Sequence, residues 1–210
     1  MPTRPPEMTN PILRVALLLL VAITLPWPHN SAAQNEGRAK ANLQGFQQLQ
    51  TRLATLNANG ISLTNYSLAK AQAWLEFSQE EYFDNDRSGI VESTFAESQG
   101  LIEHLEAGVT TPLDMSTPLL EGKARLDPES WQAVEELKTQ RLSCAGHLIA
   151  RLEVQLVHVE HEFHELGSIH AAPYRQAVQR MMEEIKAVDC SPPSHKQTVP
   201  QAESVPETKP

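Results

Sequence analysis

Apolar positions recur every three or four residues along most of the chain, the period of helices that bury one face. Leu43, Phe46, Leu49, Leu53 and Leu56 form the first seam, within 34–57, and Asn57-Ala58-Asn59-Gly60 is a good stop for it. Ala71, Trp74, Leu75, Ser78 and Tyr82 predict a second helix over 66–83. Val91, Phe95, Ser98 and Ile102 predict a third over 90–105, ended by Gly108. The stretch 109–126 holds Pro112, Pro118 and Gly122 and reads as a connection. Asp127-Pro128-Glu129-Ser130 has the form of an N-cap with Pro at the first helical position, and starts a short helix bearing Trp131, Val134 and Leu137. The longest helix is expected over 144–166, with Leu148, Leu152, Leu156, Val159, Phe163 and Leu166 as its stripe. The last is expected over 172–188, with Tyr174, Ala177, Met181 and Ile185 on one face.

A faint internal repeat pairs Ala73-Trp74-Leu75-Glu76-Phe77 with Ala150-Arg151-Leu152-Glu153-Val154. Two helical hairpins of similar length result. The fold class is therefore all-α, with antiparallel hairpins in a TPR-like or bundle-like arrangement of about five to six helices.

Composition agrees. Aromatics are 5% of the 210 residues, Gly only 9, and Ala, Leu, Glu and Gln dominate long stretches. The net charge of −9 opposes general nucleic-acid binding. At the N-terminus, Arg4 and Arg14 precede an apolar run from Val15 to Leu25, then Pro26, Pro28 and the small residues Ser31-Ala32-Ala33. This is the pattern of an export signal, cleaved near Ala33, and the run is short for a membrane span. The alternative is an uncleaved anchor in the inner membrane, facing the periplasm. Cleavage removes two arginines and one glutamate, leaving the mature chain one charge more negative. The organisation expected is a signal peptide (1–33), an N-terminal amphipathic helix (34–60), a helical-hairpin domain (61–190) and a disordered tail (191–210) poor in apolar residues.

Cys144 begins the longest helix and Cys190 follows the last one. If those helices form an antiparallel hairpin, its open end brings the two together. Pairing is favoured in an exported chain, and a bond closing such a loop stabilises by about 4 kcal/mol on the chain-entropy model. A redox or metal role for the pair lacks a C-x-x-C spacing.

Two stretches invite a metal. Counting from Asp84, the positions one, three, five and six of a calcium loop are Asp84, Asp86, Ser88 and Gly89. Position twelve, which should be a bidentate Glu, is Phe95, and Arg87 adds positive charge. The segment reads better as a helix-connecting motif, with Asp86 or Ser88 capping the next helix and Arg87 pairing with a carboxylate. The second stretch runs from His158 to His170. His158, His161 and His164 recur every three residues, with Glu162 and Glu165 four beyond the first two. Ligands on adjacent turns suit zinc. However, the H-E-x-x-H spacing and its reverse are absent, and no third ligand is marked on another helix. The strip is expected to be solvated or partner-facing, and sensitive to pH through its histidines. No nucleophile–base grouping has local support, so no enzyme is expected.

The run from Lys70 to Gly108, with AWLEF and NDRSGIVE, and the run from Cys144 to Tyr174, with LEVQLV and HAAPY, resemble the helical N-terminal module of proteobacterial OmpA-family envelope proteins. The likeness spans about 66–181. That module precedes a C-terminal OmpA-like domain, for which the twenty polar residues after Cys190 leave no room. The resemblance implies location and module type rather than an activity. The reading expected is a non-enzymatic periplasmic helical protein, an adaptor or accessory for another, unidentified envelope protein, with self-association as a further option. It involves no nucleic acid, no membrane span after cleavage, no cofactor and no resident metal. The alternative is a periplasmic metal-binding protein using the His/Glu strip.

Overall fold

The computed structural model describes residues 40–108, 115–120 and 124–191. The expected signal peptide, the tail beyond Ser191 and much of the Pro-bearing connection lie outside the described residues. Within them the chain is all-α, with five helices: α1 Leu43–Ala58, α2 Tyr66–Phe83, α3 Ile90–Glu106, α4 Pro128–Leu166 and α5 Ser168–Ala187. No helix among the described residues is long and apolar enough to cross a membrane.

Local chemistry sets the starts. Asn42, Asn65 and Asp127 each accept a bond from the backbone N–H three residues on, at 3.0, 3.0 and 3.1 Å, and so cap α1, α2 and α4. Two helices were expected here, and α4 is two helical pieces joined across a kink at Ala145 (φ −128°, ψ 18°), beside Cys144. Leu137, Val134 and Ile149 on both sides of the kink share one core, which holds the two pieces in line. α5 also starts earlier than expected, at Ser168, so Pro173 lies inside it.

Cross-helix contacts define the topology. Ser78 donates to the Val91 carbonyl at 2.7 Å and Ser98 to the Ala71 carbonyl at 2.8 Å, so α2 and α3 run antiparallel. Arg141 reaches the Val188 carbonyl at 2.9 Å while His158 packs on Tyr174, so α4 and α5 do the same. The Cys144–Cys190 disulfide closes the open end of this second hairpin, with Cα atoms 5.4 Å apart. α2 joins the hairpins by lying parallel to α4: Tyr66 meets Glu153, Phe77 meets His158 and Glu81 meets His161. The amphipathic α1 docks on α2 and α3, where Phe46 meets Tyr82 and Phe95 edge-on.

Two apolar cores result. One holds Phe46, Leu53, Trp74, Leu75, Ile90 and Ile102, and the other Val134, Ile149, Leu152, Val178 and Ile185. Where α2 faces α4, the buried positions turn polar: Lys70, Glu81, Glu153, His158, His161 and Glu162 are all buried. α4 is thus covered on two faces, its expected stripe and a second face toward α2. Phe163 and Leu166, expected on the stripe, are exposed near its end.

Candidate functional site

The polar layer has two parts. At one end Glu153, wholly buried, accepts from Tyr66 Oη and pairs with Lys70 Nζ at 3.3 Å and Lys138 Nζ at 2.6 Å. The lysines also donate to the carbonyls of Ser116 and Met115, and so bind the connecting segment onto the helices. Every member has a structural partner.

At the other end lie two histidines and a group of carboxylates. His158 and His161 are one turn apart on α4, with Glu162 and Glu165 one turn beyond each. The parallel packing sets Glu81, in the last turn of α2, opposite both. Glu81 Oε1 is 3.0 Å from His158 Nε2, and Glu81 Oε2 is 3.5 Å from His161 Nε2. Glu162 Oε1 stands 3.6 Å from His158 Nε2, and Glu165 Oε2 3.8 Å from His161 Nε2. Only 4% of Glu81, 4% of His158 and 3% of His161 is exposed.

The end of α2 supplies one more carboxylate. Asn85 takes a left-handed conformation (φ 61°), its N–H bonds the Tyr82 carbonyl, and the Asp86 N–H bonds the Glu81 carbonyl at 2.9 Å. This is a Schellman termination with Asn in place of the usual Gly, and it folds the chain back so that Asp86 sits over Glu81. Asp86 Oδ1 accepts from the Ser88 backbone N–H at 2.7 Å and from its hydroxyl at 2.6 Å. Asp86 Oδ2 is left 3.5 Å from His161 Nε2. The ring of His158 is fixed between Phe77 and Tyr174, with centroids 4.1 and 4.2 Å away.

Electrostatics mark the site as short of positive charge. Burial alone would raise the Glu81 carboxyl, but the imidazoles of His158 and His161 outweigh it and hold the group down at about 2. Glu162 is pushed up by burial, against the pull of His158 and with the repulsion of Glu81. Glu165 is pushed up by burial and by Asp86, and Tyr174 by burial and by Glu162, Glu80 and Glu81. Five carboxylates, with Glu80 the fifth at 3.9 Å from His158 Nδ1, face two imidazoles. The acidic groups outnumber the imidazoles that could balance them.

Several sequence expectations change here. His158 and His161 are buried rather than solvated, and the acidic side chain from another helix that meets both, which the sequence did not mark, is Glu81. His164 points to solvent and takes no part. In the connecting motif, Asp84 is exposed, Arg87 pairs with the side-chain carbonyl of Asn85 rather than with a carboxylate, and Ser88 Oγ accepts from the Ile90 N–H at 3.2 Å. Gly89 provides the positive φ of 101° that opens α3. Asp86 serves the connecting turn through Oδ1, as expected, and joins the histidine cluster through Oδ2.

Two sets of side chains have the composition of a metal site: Glu81, His158 and Glu162, and Glu81, Asp86 and His161, each with ligand atoms within 4.8 Å of one another. Donor atoms on a tetrahedral zinc with bonds of about 2.0–2.1 Å lie about 3.3 Å apart. The imidazole–carboxylate separations of 3.0 to 3.6 Å in these two sets bracket that value. No family model, curated protein or solved structure matches the chain, so its function rests on the chemistry of the site itself.

Proposed function

We propose that the protein is a metal-binding protein of the cell envelope, holding a divalent transition-metal ion between α2, the α2–α3 turn and α4. The decisive observation is Glu81: a carboxylate 4% exposed with its two oxygens 3.0 and 3.5 Å from two imidazole Nε2 atoms. Imidazole with carboxylate suits zinc, and also manganese and iron, better than the all-oxygen sets that calcium takes. A surplus of negative charge in a buried site is what a dication neutralises. The apolar leader from Val15 to Leu25 supports an envelope location, and the Cys144–Cys190 disulfide suits an oxidising compartment.

The test is a zinc titration of metal-free protein against a chromophoric chelator at pH 7.5. Stoichiometric binding is expected, weakened about 100-fold by His161→Ala, since one of few protein ligands is lost. Weak, non-stoichiometric binding that His161→Ala leaves unchanged overturns the proposal.

A further inference from the structure

We infer that the site takes two divalent ions, bridged by the carboxylate of Glu81. This rests on the metal-binding reading above and specifies what that site holds. Glu81 is common to both sets of side chains, and it offers a different oxygen to each: Oε1 to His158 and Oε2 to His161. A carboxylate that shares its two oxygens in this way spans ions about 3.5–4 Å apart, the separation of two-metal centres. The ions are supported from the same helix with the same spacing. His158 has Glu162 four residues on, and His161 has Glu165 four residues on, so the second half-site repeats the first one turn later. Asp86 completes the His161 side, at 3.5 Å from its Nε2.

A second observation points the same way. His158 Nε2 and Glu81 Oε1 are both buried and 3.0 Å apart, yet neither atom makes an aligned hydrogen bond. Two buried atoms held so close, neither with an aligned hydrogen bond, face a common point. An ion there satisfies both. The two half-sites differ in one respect. The His161 ion would have four protein ligands (Glu81, Asp86, His161 and Glu165). The His158 ion would have three (Glu81, His158 and Glu162). Three protein ligands leave a position for water or a small anion, so the His158 ion is the exchangeable member of the pair.

Cobalt(II) tests this, because it reports both number and coupling. Metal-free full-length chain is titrated with cobalt, followed by its visible spectrum, and low-temperature paramagnetic resonance is recorded at one and two equivalents. Two ions per chain are expected, with the signal of the isolated ion at one equivalent diminished by coupling at the second. His158→Ala is expected to bind one ion with an uncoupled signal. His158→Gln and Glu162→Ala, which disturb packing less, serve if that variant fails to fold. One ion per chain in the unaltered protein overturns the bridged pair, whichever histidine holds it, and leaves the metal-binding proposal standing. Two ions without coupling also overturn the bridge. Absence of both zinc and cobalt binding removes the metal-binding proposal itself.

Discussion

Replacing Glu153 by Gln isolates the charge at the centre of the buried network, because the side chain keeps its volume and one acceptor oxygen. In the protein, Glu153 is wholly buried and its two oxygens face Lys70 at 3.3 Å and Lys138 at 2.6 Å, with the Tyr66 hydroxyl donating to it. Glu153→Gln leaves Lys70 with only dipoles in hydrogen-bond reach, Tyr66 Oη at 2.9 Å, Thr117 Oγ1 at 2.8 Å and the Ser116 carbonyl at 3.2 Å, and with the weaker, more distant attraction of Glu97. Removing one partner of a buried pair costs about 3–5 kcal/mol, since the remaining charge stays desolvated. For a domain of this size, 1 kcal/mol moves Tm by about 2–4 °C, so the midpoint should fall by about 6–20 °C. Circular dichroism at 222 nm, on heating and in urea, measures it.

The same variant has a pH signature. Burial lowers the Lys70 pKa from its ordinary 10.5, against the attraction of Glu153. A base whose folded pKa is depressed binds fewer protons folded than unfolded, so stability rises with pH in that window. Without the anion the depression deepens, and the deficit of Glu153→Gln should narrow as the pH rises toward 10.5. Adding Lys70→Met should recover more than about 1 kcal/mol of the loss, the mark of coupled partners. A cost under about 1 kcal/mol for Glu153→Gln, or additive behaviour in the double variant, refutes the reasoning.

Gly45→Ala should destabilise by roughly 1–3 kcal/mol in urea melts, because its new Cβ would stand 1.9 Å from the Lys40 carbonyl oxygen and 3.2 Å from the Phe95 ring. Reducing the disulfide should cost about 2–5 kcal/mol, read as the shift in urea midpoint with and without a phosphine reductant, and Cys144→Ser should match it. In metal-free protein, Glu81 has a folded pKa of about 2 against an ordinary 4.5, so its contribution is present above pH 4.5 and lost as pH falls through about 2. The stability difference between the unaltered protein and Glu81→Gln should therefore be on the order of 3 kcal/mol near pH 5 and shrink toward pH 2; a difference constant across that range contradicts it.

The helices were legible because each carries its seam at a helical spacing and a polar cap at its start. Asn57–Gly60 and Asp127-Pro128 mark ends and starts by local chemistry alone, and the structure puts them where that chemistry requires. α4 was read as two helices, and the kink at Ala145 keeps that boundary; that the two pieces stay in line was not legible, because Leu137 and Ile149 are held together by a tertiary core that local spacing does not express. The site was half legible. The recurrence of His158 and His161 was visible, but their burial was not, since one apolar stripe on α4 implied one buried face. Burial of the second face comes from α2. Glu81 did carry a signal: Ala71, Trp74, Ser78 and Glu81 continue one seam at spacings of three and four, and a glutamate on an apolar seam is a buried acid in search of a cation. Asp86 was read as part of a helix-connecting motif, and its Oδ1 does bond within that turn; that its other oxygen reaches His161 was not legible, because a turn motif does not tell where the rest of its carboxylate points.

What turns these separate residues into one site is the parallel arrangement of α2 and α4. Had the two first helices of the hairpins met antiparallel, with the histidines facing Tyr66, Glu81 would face α4 near the kink at Ala145, far from either ring. In parallel, the C-terminal ends of both helices approach the same end of the molecule. Glu81 lies three residues before Asp84, the residue that caps α2, and His161 five residues before the last residue of α4, Leu166. Helix C-termini carry partial negative charge, which adds to the carboxylates and favours a cation within the last turn. The Schellman turn belongs to the same logic, because ending α2 there both satisfies its last carbonyls and delivers Asp86 to the site. The Glu153 network fixes the other end of the same contact, so the register that pairs Tyr66 with Glu153 also pairs Glu81 with His158 and His161. Weakening that network should loosen metal binding at a distance, through the relative position of α2 and α4, even though no member of it lies within the two candidate sets.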